Sequence, residues 1–282
     1  MAYKSILTVA TNTTGLAPVL QAASRIALRE DSHLEVLVVG VDVLQPAFYG
    51  YADSIGLMQD TLDQARAAAE ATEAAAKGLL GAESPALRWS VEAATALAGN
   101  LRDLVAHHAR FSDLVVLPQP YGPHSPQEAV AVLEAALFEG QAAVLVLPGG
   151  RPVPDAFGTR ILVAWNQGRE ALAAIRRAMP LLVAARQVGI VVIDPPVHGP
   201  ERSDPGGRLC QMLARHGVRA EVAVLARTEP RTSDVLARHI REQGADLLVM
   251  GAYGHSRLRE SILGGTTRNM LHHAEVPVLL AH

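Results

Sequence analysis

Short apolar runs alternate with longer amphipathic stretches along the whole chain. The run His33–Val43 is almost continuously apolar, which is typical of a strand buried on both faces of a parallel sheet. Residues 61–80 are rich in alanine and predict a helix by intrinsic propensity. Strands that alternate with helices in this way predict an α/β fold with a doubly wound parallel sheet.

This pattern predicts ten strands and eight helices. The strands are expected at residues 3–10, 33–43, 87–91, 113–117, 142–147, 161–165, 188–194, 218–226, 246–250 and 277–281. The helices are expected at residues 16–27, 61–80, 97–110, 127–139, 168–187, 207–216, 231–243 and 268–274. Residues 44–60 are rich in aromatic residues and glycine and predict a loop.

The second half of the chain repeats the first. Ile6 aligns with Ile161 at an offset of 155, and Asp113 aligns with Asp246 at an offset of 133. The first copy is therefore longer between these points, and most of the excess is placed in residues 44–64. A repeat of this length predicts two structural units of the same kind.

A linker is predicted between the two copies. Residues 149–158 carry three glycines and two prolines and lack apolar periodicity. The chain is therefore expected to consist of a domain at 1–148, a linker at 149–158 and a domain at 159–282.

Composition narrows the function classes. A formal net charge of −3 and the lack of a basic stripe argue against nucleic-acid binding. The single cysteine, Cys210, excludes an internal disulfide and any multi-cysteine metal site. The chain has no run of eighteen apolar residues, so no membrane span is predicted. A cytoplasmic protein is expected.

The stretch that carries chemistry is residues 246–282. A buried strand is followed by Gly251 and Gly254, and after nine residues Gly264 precedes a helix that opens on hydroxyl side chains. Glycines let backbone N–H groups approach a phosphate, and a helix N-terminus adds unpaired donors and a positive dipole end. A strand, a glycine turn and a helix start therefore predict an anion site.

The spacing Gly251-x2-Gly254-x9-Gly264, followed by the strand sequence VPVLLAH, resembles the nucleotide-binding signature of the universal stress protein family. The resemblance covers the second copy and, more weakly, the first. It implies two tandem Rossmann-like sheets, each of five parallel strands in the order 3-2-1-4-5. It also implies a stress-response protein that binds ATP, with or without Mg²⁺.

The ligand is expected beyond the carboxyl ends of the strands, in the crevice between the first and fourth strands of the second copy. The resemblance implies that Val192 backs the base and that His255 and Arg257 lie beside the phosphates. The complete set of expected contact residues is Ala164, Trp165, Asn166, Val192, Met250, Gly251, Gly254, His255, Arg257, Gly264, Gly265, Thr266 and Thr267.

Two positions depart from the family pattern. Asn166 stands where the family has an aspartate that bonds the adenosine end, and Gly265 stands where it usually has serine or threonine. Asparagine keeps a hydrogen bond but loses the charge. Thr266 or Thr267 can supply the missing hydroxyl. Binding with lowered affinity is the expectation.

The first copy is not expected to bind nucleotide in the same way. Pro118 has no N–H to offer a phosphate, and Tyr121 puts a side chain where the backbone must come close. One site per chain is therefore predicted. Because the family dimerises through its last strands, residues 142–147 and 277–281 are expected to pair within one chain as an intramolecular pseudo-dimer. A homodimer is a further option.

No triad, carboxylate pair or Mg²⁺ cluster is evident in the sequence, so a binding protein is expected rather than an enzyme. The alternatives are a ligand-free tandem scaffold that binds protein partners, and a weak ATP hydrolase. The pairs His107-His108 and His272-His273 lie on predicted helices, where adjacent side chains diverge by about 100°. The members of each pair are therefore expected to be poor metal ligands together and to lie at the surface or at an interface. Asp113 and Asp246 are expected to cap turns.

Overall fold

The structure is a computed structural model that describes residues 2–42, 54–122, 125–149, 157–196, 198, 201–253 and 265–282. Contacts group the chain into two compact units, Ala2–Ala142 and Ala143–His282. The fifth strand of the chain, at the start of the second range, groups with the second unit. None of the helices in the described part of the chain is long and apolar enough to cross a membrane.

In the part of the first unit that the structure describes there are four strands and four α-helices. Its strands are β1 (Ser5–Ala10), β2 (His33–Asp42), β3 (Arg88–Leu97) and β4 (Leu114–Pro118). Its helices are α1 (Leu16–Glu30), α2 (Ser54–Gly81), α3 (Leu101–Ala109) and α4 (Ala129–Glu134), the last continued by a π-helical turn at Ala135–Glu139. The strands lie in the order β3-β2-β1-β4 and are parallel.

The described residues of the second unit form six strands and five α-helices. Its strands are β5 (Ala143–Leu147), β6 (Arg160–Ala164), β7 (Gln187–Ile193), β8 (Ala220–Leu225), β9 (Leu247–Gly251) and β10 (Val278–Ala281). Its helices are α5 (Arg169–Arg177), α6 (Met179–Ala184), α7 (Gly207–Arg215), α8 (Thr232–Gln243) and α9 (Thr266–His273). The strand order is β5-β10-β9-β6-β7-β8.

The predicted fold class is confirmed: the protein is α/β with doubly wound parallel sheets. Strands β6 to β10 give the full predicted order 3-2-1-4-5, and the first unit gives its first four positions. The predicted pairing of the two last strands is also confirmed. Strand β10 pairs β5 in antiparallel register, with Leu279 opposite Leu145.

Three elements differ from the sequence prediction. Helix α2 begins at Ser54, inside the loop expected at residues 44–60. Strand β3 extends to Leu97 instead of ending at Val91, because it pairs with β2 over its whole length. Much of it is exposed, so no apolar run indicates its end. The helix predicted at 168–187 is two helices that break at Ala178, with Pro180 in the first turn of the second.

Both aspartates that precede a fourth strand tie it to the start of a first strand. The Asp113 carboxylate accepts backbone N–H bonds from Lys4 at 2.7 Å and Ser5 at 3.1 Å. The Asp246 carboxylate accepts three such bonds, each of 3.0 Å, from residues 158–160. These side chains therefore bind backbone N–H groups at the start of a neighbouring strand, whereas turn caps were expected.

Candidate functional site

A cavity of about 160 Å³ lies at the carboxyl ends of β6 and β9. This is the point where strand order reverses in the second unit, since β6 lies between β9 and β7. Its walls combine apolar side chains with four side chains that carry a hydroxyl or amide and one carboxylate. The lining residues are Ala164, Trp165, Asn166, Glu170, Val191, Ile193, Thr232, Leu236, Met250, Gly251, Thr266 and Thr267.

Seven of the thirteen residues expected at the site line this cavity, and they come from three separate segments. The end of β6 and the two residues after it contribute three of them, the end of β9 two, and the first turn of α9 two. These residues are Ala164, Trp165, Asn166, Met250, Gly251, Thr266 and Thr267. The positions Gly254, His255, Arg257 and Gly264 lie outside the described residues.

The N-terminus of α9 forms one side of the cavity. Gly265 precedes the helix in an extended conformation, and no side chain caps the first turn. The buried Thr267 hydroxyl accepts a hydrogen bond from the Tyr253 backbone N–H at 3.3 Å. This bond ties α9 to the residues after β9. Thr266, one residue earlier, presents its side chain to the cavity.

Glu170 is a lining residue that the sequence analysis missed. It lies in the first turn of α5, and its carboxylate accepts a hydrogen bond from Asn166 Nδ2 at 3.0 Å. Asn166 Oδ1 in turn accepts the Gly168 N–H at 2.9 Å. A negative charge is therefore present beside the asparagine that replaces the family aspartate. No sequence signal indicates that a glutamate in a helix turns back toward the preceding strand.

Gly251 is needed for close helix packing. A Cβ at this position would lie 2.5 Å from both the Ala171 backbone nitrogen and the Glu170 Cγ. A Cβ at Gly168 would meet the Glu170 carboxylate. Both glycines therefore make room for the first turn of α5. A role of Gly251 toward a phosphate stays a prediction.

Trp165 forms an apolar wall whose polar edge is satisfied. The side chain is 8% exposed, and its Nε1–H donates to Glu201 Oε2 at 3.2 Å. The same oxygen accepts the Gly206 N–H at 3.3 Å. Glu201 thus fixes the indole and the start of α7 together, which leaves the apolar face of the ring to line the cavity.

Val192 does not line the cavity, although it was expected to back the base. Strand side chains alternate between faces, and the residues of β7 that reach the cavity are its neighbours Val191 and Ile193. The Val192 side chain is buried on the other side, where it lies near Gly206. A contact between Val192 and a base stays a prediction.

Three non-glycine residues with left-handed backbone surround this edge of the sheet. Gln167, Asp194 and Tyr253 have φ of 63°, 49° and 55°, and they follow β6, β7 and β9. Residues other than glycine rarely adopt this conformation, and such outliers concentrate at functional sites. All three lie at the carboxyl edge of the second unit, beside the cavity.

The positive charge on α9 depends in part on the pKa of His272. Desolvation, together with the neighbouring positive charges of Arg268 and His273, lowers the pKa of His272 from its ordinary value. The lowered pKa favours the neutral imidazole of His272, which reduces its positive charge in the last turn of the helix. In the described part of the chain, no three metal-ligating side chains come together at the cavity.

The equivalent edge of the first unit is built differently. Its cavity between the ends of β1 and β4 is only about 30 Å³ and is lined by Pro118 and Pro126. A separate polar cavity of about 250 Å³ lies between Thr11, Val41 and α2. The two copies of the fold therefore do not present the same crevice.

Residues 159–282 match the family model described as the universal stress protein family. A universal stress protein of Synechocystis sp. is 31% identical over 98 residues, which span 35% of this chain and 33% of that protein. The aligned part is thus about a third of the curated relative, within a chain that also holds a first unit.

Two solved structures are similar over nearly the whole chain. A universal stress protein from Archaeoglobus fulgidus DSM 4304 has a TM-score of 0.64 at 15% identity, covering 98% of this chain and 96% of that one. A functionally unknown protein from Pseudomonas aeruginosa PAO1 has a TM-score of 0.58 at 20% identity, covering 99% and 92%. At these identities the likeness concerns the fold. Residues 159–282 thus match the universal stress protein family, and the chain as a whole shares its tandem α/β fold with a universal stress protein.

Proposed function

We propose that the second unit binds an adenine nucleotide in the cavity between β6 and β9. The observation that carries this proposal is the position of the cavity at the switch point of the sheet, with the N-terminus of α9 on one side. Ligands of open α/β sheets bind at this point, and helix N-termini favour anions. Apolar walls with a few convergent polar groups are typical of small-molecule sites.

The cavity has room for one end of the ligand. Drug-sized ligands occupy pockets of about 300–1,000 Å³, and this cavity is about 160 Å³. We place the adenosine end between Trp165 and Met250, where the walls are apolar. The phosphates then lie toward Thr266 at the start of α9, and the segment with Gly254 and Gly264 is expected to contact them.

Glu170 takes the role that the family aspartate has in the expected pattern. Its carboxylate lies beside Asn166 and can accept hydrogen bonds from ribose hydroxyls. The same charge disfavours phosphate oxygens nearby, which supports an orientation with the phosphates at α9. The proposed protein binds a nucleotide as part of a stress response, with one site per chain and no catalytic step assigned.

A single titration series tests this proposal. ATP is titrated into the full chain by calorimetry, and Thr266→Val is compared with the parent protein. A hydrogen bond to a charged group contributes about 1.5–3 kcal/mol, so the variant is expected to bind roughly tenfold more weakly or worse. Thr11→Val, at the corresponding edge of the first unit, is the matched control and should leave ATP affinity unchanged.

The runner-up function is a ligand-free scaffold that binds protein partners. The small volume of the cavity and the Glu170 carboxylate beside Asn166 favour the scaffold function. Purification without added nucleotide, followed by denaturation and analysis of the released small molecules, separates the two functions. A parent protein that carries no nucleotide and gives no heat with ATP would exclude the nucleotide site and leave the scaffold.

A further inference from the structure

Two glutamates and a histidine come together in the first unit, and none of the three lines its crevice. Glu35 lies on β2, Glu92 on β3 and His108 on α3. One potential ligand atom from each lies within 4.8 Å of the other two. His108 Nδ1 lies 2.6 Å from Glu35 Oε1. The three side chains come from rigid elements that are distant in sequence.

The two carboxylates share one face of the sheet. Glu35 pairs with Ser90 and Leu37 pairs with Glu92, so the glutamates are diagonal neighbours on adjacent parallel strands. Like charges at such positions repel each other. Among the ion pairs of the described residues, none gives either glutamate a lysine or arginine partner. His108 is bonded to Glu35, and no lysine or arginine of the described residues compensates the two carboxylates.

The site is partly shielded from water. The side chains of His108 and Glu35 are 14% and 27% exposed, whereas Glu92 is exposed. Partial burial makes an uncompensated pair of charges more costly than it would be on an open surface. It also leaves one side open, where Glu92 can move and water can complete a coordination shell.

The fold does not demand these residues. Glu35 pairs with Leu7 on the first strand, and Gly189 holds the same place opposite Leu162 in the second unit. The place of Glu92 is held there by Ala223, which pairs with Val191. The second unit builds the same ladder with a glycine and an alanine. The cluster is therefore a property of the first unit alone.

We propose that Glu35, Glu92 and His108 bind a divalent transition-metal ion, with Zn²⁺ as the best match. One imidazole nitrogen and two carboxylate oxygens form a mixed donor set that suits Zn²⁺ better than Mg²⁺ or Ca²⁺, which take oxygen ligands. Two negative charges and a neutral imidazole balance the charge of the ion. Water fills the fourth position. The ion fastens α3 to β2 and β3.

Binding of Zn²⁺ requires only small movements of the three ligand side chains. Zn²⁺ bonds of about 2.0–2.2 Å separate ligand atoms by roughly 3–3.5 Å in a tetrahedral site. The hydrogen-bonded atoms of His108 and Glu35 must open by less than an ångström, and the most distant pair must close by somewhat more. Glu92 is the exposed member of the cluster and can supply the larger part of this adjustment.

Zinc titration of the full chain tests the proposal. ZnCl₂ is titrated by calorimetry into the parent protein and into His108→Gln and Glu92→Gln. Loss of one of three ligands is expected to weaken one zinc site per chain at least about tenfold, since even outer partners of a metal ligand contribute 10–100-fold. His107→Gln is the matched control, because His107 is the exposed neighbour on the same helix. It should leave that site intact.

Folding is checked in the same proteins without metal. Glutamine can still donate to Glu35, so His108→Gln should melt close to the parent protein without zinc and should lose the upward shift in melting temperature that zinc gives the parent. A parent protein that binds no zinc at micromolar concentrations would overturn the proposal. Identical zinc isotherms for His108→Gln and His107→Gln would overturn it as well, because the bound zinc would then belong to other histidines.

Discussion

At the residue scale, the site depends on one side chain folded back over another. Glu170 lies on Asn166 and between two glycines, and this arrangement decides what each of those residues can do. Asn166 reads in the sequence as a weakened family aspartate. In the structure it is the donor that holds a neighbouring carboxylate in place. The negative charge therefore lies on Glu170 instead of on residue 166, and the sequence pattern alone does not indicate this.

Asn166→Asp is expected to destabilise the second unit at neutral pH. The substitution replaces an amide donor with a second carboxylate about 3 Å from Glu170. Both groups are partly exposed, so the expected loss in unfolding free energy is about 0.5–1 kcal/mol. Repulsion raises both pKa values, and the loss should therefore fade as pH drops through about 4 and the carboxyls protonate. Urea unfolding at pH 7 and pH 4 measures this difference.

The double variant Asn166→Asp/Glu170→Gln is the control for charge. It restores a donor and acceptor pair, so its stability at pH 7 should return to that of the parent protein. Under the proposed function it should also bind ATP at least as tightly, because the carboxylate then stands at the position used by the family. An equal loss in the single and double variants would contradict the repulsion.

Gly251→Ala is expected to destabilise the second unit by about 1–3 kcal/mol, as other over-packed positions do. The added Cβ would lie 2.5 Å from the Ala171 backbone nitrogen, and backbone cannot move aside as a flexible side chain can. Gly78→Ala is the matched control. Gly78 is an exposed helical glycine with open space at its Cβ position, and alanine there should stabilise by about 0.5–1 kcal/mol. Urea midpoints of both variants against the parent protein measure the contrast.

At the scale of elements, the strand starts are tied by carboxylates. Asp246 accepts three backbone N–H groups at the start of β6, and Asp113 accepts two at the start of β1. These bonds fix the register between the first and fourth strands, and the cavity lies at the opposite ends of those strands in the second unit. A substitution of Asp246 is therefore expected to affect the site through the hydrogen bonds between β6 and β9.

Asp246→Ala should cost more than Asp113→Ala. Each unpaired donor costs about 1–3 kcal/mol when buried, and water compensates part of this at half-buried positions. The expected losses in unfolding free energy are about 2 kcal/mol for Asp246→Ala and about 1 kcal/mol for Asp113→Ala. Asp246→Asn keeps one acceptor oxygen and should lie between Asp246→Ala and the parent protein. Equal losses for the two alanine variants in thermal unfolding would contradict the count of bonds.

Much of the element order was predictable because buried parallel strands are short apolar runs between turn signals. Strands such as β4, β9 and β10 satisfy this rule, and they were placed within two residues. The edge strand β3 does not follow this rule. It pairs with one strand only and much of it is exposed, so its sequence needs no continuous apolar run. Within the site, chain position predicted Trp165 and Met250, whereas Glu170 and Glu201 act through folded contacts that have no signature in sequence spacing.

At the scale of the whole molecule, duplication produced two unequal copies. The first copy has a cavity of about 30 Å³ at the switch point with two prolines in its wall, and the second has about 160 Å³ beside a helix N-terminus. The first copy instead has the Glu35, Glu92 and His108 cluster, whose places in the second copy lack ligands. The two copies have thus acquired separate candidate sites on one repeated fold.

One nucleotide per chain is the expected stoichiometry. Calorimetry with ATP should give a single class of site, and Thr266→Val should remove most of its heat. Pro118→Gly in the first unit should not create a second site, because the wall there is closed by further side chains. Two equivalent sites in the parent protein would show that the first copy binds in a way that its prolines do not prevent.

Strand β5 pairs with a strand that is synthesised much later. Its five residues are fully buried and apolar, and one of its edges is covered by β10, which follows about 130 residues further along the chain. At ribosomal rates of about 5–20 residues per second, that interval is on the order of ten seconds. Throughout it the nascent chain carries an apolar strand whose matching edge does not yet exist. Chaperone demand during translation should therefore peak between the emergence of β5 and that of β10.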